Sequence, residues 1–409
     1  MTLKPPCGLP VAADFEVVIA GAGLVGAAVG LGLAQQGRRV LLVDQLAPPA
    51  ARGLPARDDR GLALSLSSVA VLEGLQVWPR LASVAYPIKQ IHVSQQGHFG
   101  ALRLSHRELG MPLLGYVCPA EELQHALLET LAATPGIAVR WQTRLTALRA
   151  TQDGMEVSLH NAAQVSHCAT TLLVGADGVR SVVRELAGIP VQQHAYEQSA
   201  IVANIEVAKP QPHTAFERFT TSGPLALLPL GGRRYVLVRT AHTAEVARLL
   251  ALPAAAYLRD AQQRFGYALG NLSNLGLRRA HPLVAQRAAS VIGARSLLLG
   301  NAANAVHPNA AQGLNLGLRD VAAALTVLAQ AQRAAEDLGS PAVLARFAAA
   351  RTHDQQTTTR LTDTLARLFA LELPLVGGLR ALALCTADRL PWIKRAVLRR
   401  LALGQGHFA

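Results

Sequence analysis

Apolar positions change period several times along the chain, and each change marks an element. Glu16 to Ala20 is a short β-branched run of the kind that forms a buried parallel strand. Leu24 to Gln36 carries apolar residues at helical spacing, and Gly37 supplies its stop. Val40 to Val43 is the next strand, so the chain opens with a strand–helix–strand unit. The uncharged stretch from Val17 to Ala34 is long enough to suggest a membrane span. Five glycines interrupt it, Asp14 and Glu16 lie just before it, and strand, turn and helix account for it better.

Further along, Ala47 to Arg57 is rich in Pro, Ala and Arg and is expected to be a loop. Leu64 to Leu75 and Glu121 to Leu131 have helical spacing, with Pro119 marking the start of the second. Between Ile88 and Leu104 apolar residues alternate, as they do in Ala200–Val207, Leu225–Leu230 and Tyr235–Arg239, the pattern of an antiparallel sheet. The parallel α/β pattern resumes at Thr171 and again at Ser296. A long helix is expected over Asp320 to Asp337, and from Pro341 the chain is helical with a basic end. These switches predict an α/β protein whose discontinuous domain (14–84, 111–190 and 286–345) is interrupted by a β-rich domain (85–110 and 191–285). A helical region over 346–409 completes it.

Composition narrows the partners. With 409 residues, 51% apolar and 16% charged, the chain can bury a large core. A formal charge of +13 attracts nucleic acid, anionic lipid or acidic small molecules. The arginines are dispersed and aromatics make up only 4%, so no nucleic-acid platform stands out. Cys7, Cys118, Cys168 and Cys385 lie far apart, as free thiols do in a reducing compartment. His92, His98 and His106 lack helical spacing and a neighbouring carboxylate, and no metal site is expected. Met1 to Ala13 has no signal-peptide pattern, which predicts a cytoplasmic location.

Three turns carry candidate chemistry. In the first, Gly21-Ala22-Gly23-Leu24-Val25-Gly26 lies between a strand and a helix. Gly21 allows the tight turn, Gly23 allows a pyrophosphate to approach the backbone, and Gly26 allows the helix to pack closely. Asp44, at the end of the second strand, is placed to hydrogen-bond a ribose 2′-OH, which disfavours a 2′-phosphate. The second turn, Gly175-Ala176-Asp177-Gly178, also follows a buried strand. Asp177 there either accepts from a ribityl or ribose hydroxyl or caps its own helix. The third runs from Gly300 to Asp320, where N–H groups of Gly313, Leu314 and Asn315 open a new helix and can stabilise negative charge. His307, before Pro308, is read as shaping this loop.

The order GxGxxG, GADG and then GNAAxxxHPxxxQGLNLGLRD resembles the single-component aromatic hydroxylases built on the p-hydroxybenzoate hydroxylase fold. Within them it resembles the ubiquinone-biosynthesis branch, the 2-polyprenyl-6-methoxyphenol hydroxylase type. Asp59–Ser65, Ile91–Ser94, Gly115–Val117, Gly223–Leu230 and Thr362–Phe369 add to the likeness, which spans nearly the whole chain.

The resemblance implies a Rossmann-like FAD-binding domain, an inserted antiparallel β-sheet substrate domain and C-terminal helices. It assigns Gly21, Gly23, Gly26 and Asp44 to the ADP half of FAD, and Arg60 to the flavin or pyrophosphate. Asp177 and Gly178 form the second FAD motif, Asn301 takes the ribityl position, and Pro308, Gly313, Leu314 and Asn315 flank the isoalloxazine. It further implies that NADPH or NADH reduces the flavin as a transient co-substrate. O2 then forms a C4a-hydroperoxide that hydroxylates a prenylated phenol.

Asn301 replaces the Asp of the wider family, as the ubiquinone branch does, and Ala311 replaces a Gly. The phenol-activating residue is not identified: Tyr116, His98 and Tyr235 qualify by type alone, and each reads more readily as structural. That gap leaves room for a non-catalytic flavoprotein that supports other quinone-synthesis enzymes, or for a different phenol. The implied substrate lives in the bilayer, so peripheral contact with the inner face of an anionic membrane is expected. Pro391 to Leu401 is basic and carries Trp392, but its charges are not segregated, and it suits a helix docked on its own protein equally well.

Overall fold

A computed structural model describes residues 14–50, 60–151, 154–162, 164–306, 312–370 and 374–404, with side chains except at 361–377, 379 and 380. The apolar runs become a parallel sheet. Ser296–Leu298, Val165–Gly175, Phe15–Ala20, Val40–Val43 and Ile137–Arg140 lie side by side in that order, all parallel. Val17, Val18 and Ile19 are fully buried because both faces are covered, and this explains why the strand reads as continuous rather than alternating. The chain's first strand is central, with later strands added on either side, as in a dinucleotide-binding half. The order reverses between Phe15–Ala20 and Val165–Gly175. In open α/β sheets a ligand cleft forms at the carboxyl ends of such strands.

Helix Leu24–Gln35 packs between this sheet and the long helix Gln312–Arg333, which rests in turn on Pro341–Ala370. Gly37 follows the first helix with φ +82°, the left-handed turn its stop requires.

The second sheet has nine strands. Its path runs Asn304–Ala305, Arg279–Ala288, Val191–Val207, Arg234–His242, Gly223–Gly231, Thr214–Thr220, Gln90–Gln95 and Ala101–Ser105, with Leu272–Ser273 beside Val191–Val207. Neighbours are antiparallel except Thr214–Thr220 with Gln90–Gln95, which are parallel. Helices Thr243–Ala251 and Ala254–Phe265 cover one face, where Leu249, Tyr257 and Phe265 meet Ile201, Phe216 and Leu237. A small sheet of Gly61–Ser65, Gly115–Pro119 and Tyr86–Ile88 lies between the two large ones. Helices Pro374–Arg389 and Pro391–Leu403 close the far edge, packing on Ala101–Ser105 and its neighbours.

Several boundaries differ from expectation. Leu64 and Ser65 end a strand, and the helix starts at Leu66 because the Ser65 hydroxyl accepts from Ser68 N–H. The long helix spans Gln312–Arg333, starting eight residues before Asp320 and stopping short of Asp337. Strands Arg144–Ala150, Met155–His160 and Thr214–Thr220 and the two helices over 243–265 were not foreseen. The expected loop over 47–57 is irregular at 47–50, and its remainder lies outside the described residues.

Candidate functional site

The first turn closes by short-range geometry. Gly21 N–H donates to Val43 O at 2.7 Å, and Ala22 N–H donates to Asp44 Oδ2 at 2.7 Å. Asp44 Oδ1 accepts from Leu46 N–H at 2.8 Å, so the carboxylate is fixed at the strand end with lone pairs left for a hydroxyl. Gly21 has φ +98°, and a Cβ there would lie 2.5 Å from Ala176 O; a Cβ on Gly26 would lie 1.8 Å from Gly21 O. A Cβ on Gly23, by contrast, would meet nothing within 4 Å. Two glycines are therefore demanded by the fold itself, while the third faces open space at the mouth of a helix.

The second turn touches the first at Gly21–Ala176, and Ala176 N–H donates to Ala20 O at 2.8 Å. Asp177 Oδ2 accepts from Val182 N–H at 2.7 Å and Val183 N–H at 3.2 Å, so it caps the short helix Val182–Leu186. Its Oδ1 is buried with no partner among the described residues. The two readings of Asp177 are thus compatible: one oxygen holds the helix and the other awaits a donor, which a ribityl or ribose hydroxyl would supply. Arg184, which sequence reasoning missed, is buried and ties this turn to the next by donating to Val179 O and to Ala302 O, each at 3.0 Å.

The third turn is anchored from below. Leu299 N–H donates to Gly175 O at 2.9 Å, and Gly300 N–H to the fully buried Asp320 Oδ2 at 3.1 Å. Asp320 also pairs with Arg351 at 2.7 Å and accepts from Gln355 at 3.0 Å. Arg351 and Arg319 both reach Asp354 at 2.8 Å. Burial opposes charge on Asp354, yet the two guanidiniums hold its carboxyl below the usual carboxylate range. Nothing in the local pattern of the sequence announces this network, because its members come from two helices.

Gly313, Leu314 and Asn315 lie in the first turn of their helix, where N–H groups lack intrahelical acceptors. The Asn315 side chain is already engaged: Oδ1 accepts from Ser65 N–H at 2.9 Å and Ser68 hydroxyl at 2.7 Å, and Nδ2 donates to Ala63 O at 2.9 Å. Asn301 is exposed on the short turn Gly300–Ala302. Pro308, His307 and Ala311 lie outside the described residues.

One cavity of about 1410 Å³ joins these parts. Its polar end is lined by Gly23, Arg60, Gly178, Asn301 and the Gly313–Asn315 turn. It continues along the second sheet to the C-terminal helices, where Ile91, Val93, Leu102, Leu384, Val397 and Leu401 line it. This exceeds the usual upper range of a single small-ligand site, roughly 1,000 Å³.

Comparison with known proteins supports the same assignment. The FAD-binding-domain family matches residues 14–360. The chain is 36% identical over 384 residues to a ubiquinone hydroxylase of Rhodospirillum rubrum, covering 94% of this chain and 88% of that one. It is 32% identical to the 3-demethoxyubiquinol 3-hydroxylase of Escherichia coli, covering 95% and 98%.

The chain belongs to the FAD-dependent aromatic hydroxylases.

The fold of this hydroxylase is similar to that of the p-nitrophenol 4-monooxygenase of Pseudomonas putida, with TM-score 0.79 at 16% identity over 96% of this chain and 99% of that one. The residues present fit FAD: a glycine cradle that a side chain would fill, a fixed carboxylate at Asp44 and an orphaned buried oxygen on Asp177. None of the three phenol-activating candidates of the hydroxylase lines its cavity. Tyr235 lies on the helix-covered face and donates to Gln211 O at 2.9 Å. Tyr116 packs edge-on against Trp78 at 4.8 Å, and His98 is exposed beside Gln96 O.

Proposed function

We propose that this hydroxylase oxidises the ring of a prenylated phenol in ubiquinone biosynthesis, with O2 and with NADPH or NADH as the electron donor. The observation that carries the reading is the continuity of the cavity. A polar, glycine-walled end suits a flavin nucleotide, and the apolar gallery beyond it suits a phenol ring followed by an isoprenoid tail. The ubiquinone hydroxylase relatives support the same substrate class.

Bound FAD supplies electron transfer and activation of O2. The chain's residues do the rest. Asp44 holds a ribose hydroxyl, Asp177 Oδ1 a second hydroxyl, and the helix N-terminus at Gly313–Asn315 favours negative charge on the flavin edge. Apolar walls at Leu104, Leu384, Val397 and Leu401 orient the tail and exclude water from the reacting ring. The nicotinamide nucleotide has no second glycine-rich turn among the described residues, and we assign its visit to the same cleft.

We further propose contact with an anionic membrane through the C-terminal helices. No helix among the described residues is long and apolar enough to cross a membrane. Helix Pro391–Leu403 docks on its own protein through Leu398 and Ala402, and Lys394 pairs with Glu108 at 2.6 Å. Its outer face still presents Trp392, 68% exposed, and Leu382 at 63% and Phe99 at 94% are exposed as well. Gly100 approaches Cys385 and Ala381 closely, which brings the Phe99 turn beside helix Pro374–Arg389. Arg389, Arg395 and Arg399 are exposed on the same two helices.

The decisive experiment feeds short-chain prenylphenols and NADPH or NADH to the FAD-loaded protein under 18-O-labelled O2. One labelled oxygen on the ring is expected. Nucleotide oxidation without labelled product would remove the reading.

A further inference from the structure

The cavity-facing side of the second sheet is mostly apolar, with Gln193, Thr240 and His281 as polar members beside a single carboxyl group. Paired residues on neighbouring strands share a face, so the register defines a row: Leu102, Val93, Glu217, Ala226, Val238 and Val202. All six line the cavity. Along its own strand Glu217 is flanked on the same face by Ala215 and Phe219, which also line it. Helices Pro374–Arg389 and Pro391–Leu403 contribute Leu384, Val397 and Leu401 opposite.

Glu217 is the one acidic residue of this lining; the other ionisable ones are Arg60, Arg180, His281 and Arg400. No hydrogen bond or ion pair to Glu217 is present among the described residues, and no described positive group offsets its burial. The side chain lines the cavity and is half-buried. Burial raises its carboxyl to about 7, so the group is close to half-ionised at neutral pH. An unpaired carboxyl costs stability in such a place, and strongly shifted groups in a cleft are candidates for chemistry.

Resting on the proposed function, we propose that Glu217 accepts the ring hydroxyl of the phenol and takes its proton as oxygen enters the ring. The phenol O–H bond breaks and a carboxyl O–H bond forms. The electron pair stays on the phenolate oxygen and raises electron density at the ring carbon under attack. A phenol has a pKa of about 10, above that of the carboxyl, so transfer accompanies the reaction rather than preceding it. Glu217 then passes the proton to water as product leaves and is ionised again for the next turnover.

The test compares wild type with Glu217→Gln and Glu217→Asp, all loaded with FAD. Equal flavin content and equal far-ultraviolet circular dichroism establish that the variants fold. Labelled-oxygen incorporation into a short-chain prenylphenol is expected to fall by roughly 100-fold or more in Glu217→Gln. Wild-type rate should decline as pH drops below about 7, since the base is then protonated, and this limb should be missing in Glu217→Gln. Glu217→Asp should restore part of the rate and the pH limb. In calorimetry, affinity for the same phenol should strengthen through that pH range in wild type and stay flat in Glu217→Gln. If Glu217→Gln matches wild type in rate and pH profile, the role of Glu217 is overturned while the proposed function stands. If wild type itself incorporates no label from any prenylphenol, both are overturned.

Discussion

Replacing Glu217 by Gln has a consequence for stability that can be worked out separately from catalysis. The carboxyl titrates at its ordinary 4.5 in the unfolded chain and at about 7 in the fold. Between those values the folded protein holds the extra proton, so its stability falls as pH rises, and the full penalty is present above about pH 7. The gap of 2.5 units (7 minus 4.5) corresponds to at most about 3.5 kcal/mol at roughly 1.4 kcal/mol per unit, and water in the cavity reduces it to about 3 kcal/mol. Gln keeps the shape without the charge. With an unfolding entropy of roughly 2 cal/mol/K per residue, 3 kcal/mol across 409 residues is a rise in Tm of about 4 °C. Scanning calorimetry of the FAD-saturated proteins at pH 8.5 should show that gain, and the difference should vanish near pH 4.5. A Tm offset that is the same at both pH values, or a variant less stable at pH 8.5, would refute the claim that Glu217 lies unpaired in a poorly hydrated wall.

Gly23→Ala should fold normally yet bind FAD more weakly, because its methyl group projects into open space where a pyrophosphate approaches; fluorescence titration of the apoprotein with FAD reads this directly. Gly26→Ala should lose folding as well as colour, since its Cβ would lie 1.8 Å from a backbone oxygen. Asp320→Ala should destabilise the protein by about 3–5 kcal/mol by stripping Arg351 and the Gly300 N–H of a buried partner, as measured by urea unfolding. Co-sedimentation with anionic vesicles at low salt should be seen for wild type and should weaken several-fold in a Phe99→Ser/Trp392→Ala double variant. Wild type that stays in the supernatant would remove the membrane proposal.

The cofactor turns were legible because they depend on what a backbone tolerates. Gly21 and Gly26 are written in the sequence as residues that no side chain can replace, and Asp44 as an acid where a strand must end. The β-rich insertion was legible where its strands alternate, as at Ala200–Val207. Thr214–Thr220 escaped for a physical reason: both of its faces are covered, one by helices that bury Phe216 and one by the cavity that holds Glu217. A charged pair at 217 and 218 therefore looks like a solvated segment when only neighbours in sequence are seen. The start of helix Gln312–Arg333 was hidden similarly, since its glycines and Asn315 suggest a loop. A Cβ at Gly317 would lie 2.8 Å from Val25 and 3.3 Å from Gly300, so the helix needs that glycine to approach the other two turns. The Asp320–Arg351–Asp354–Arg319 network depends on the packing of two helices and has no local signature.

The parallel sheet is assembled from segments scattered over most of the polypeptide. Its fifth parallel strand ends at Leu298, and the arginine that steadies the turn after it is residue 351 of 409. A growing chain therefore carries four of those strands, with the fifth still missing from one flank, while residues 176–295 are made. The nucleotide pocket gains its last support only after residue 351 has been made. Such an order makes the nascent protein reliant on chaperones or on early docking of its first βαβ unit, and it makes C-terminal truncations lose colour before they lose most of their length.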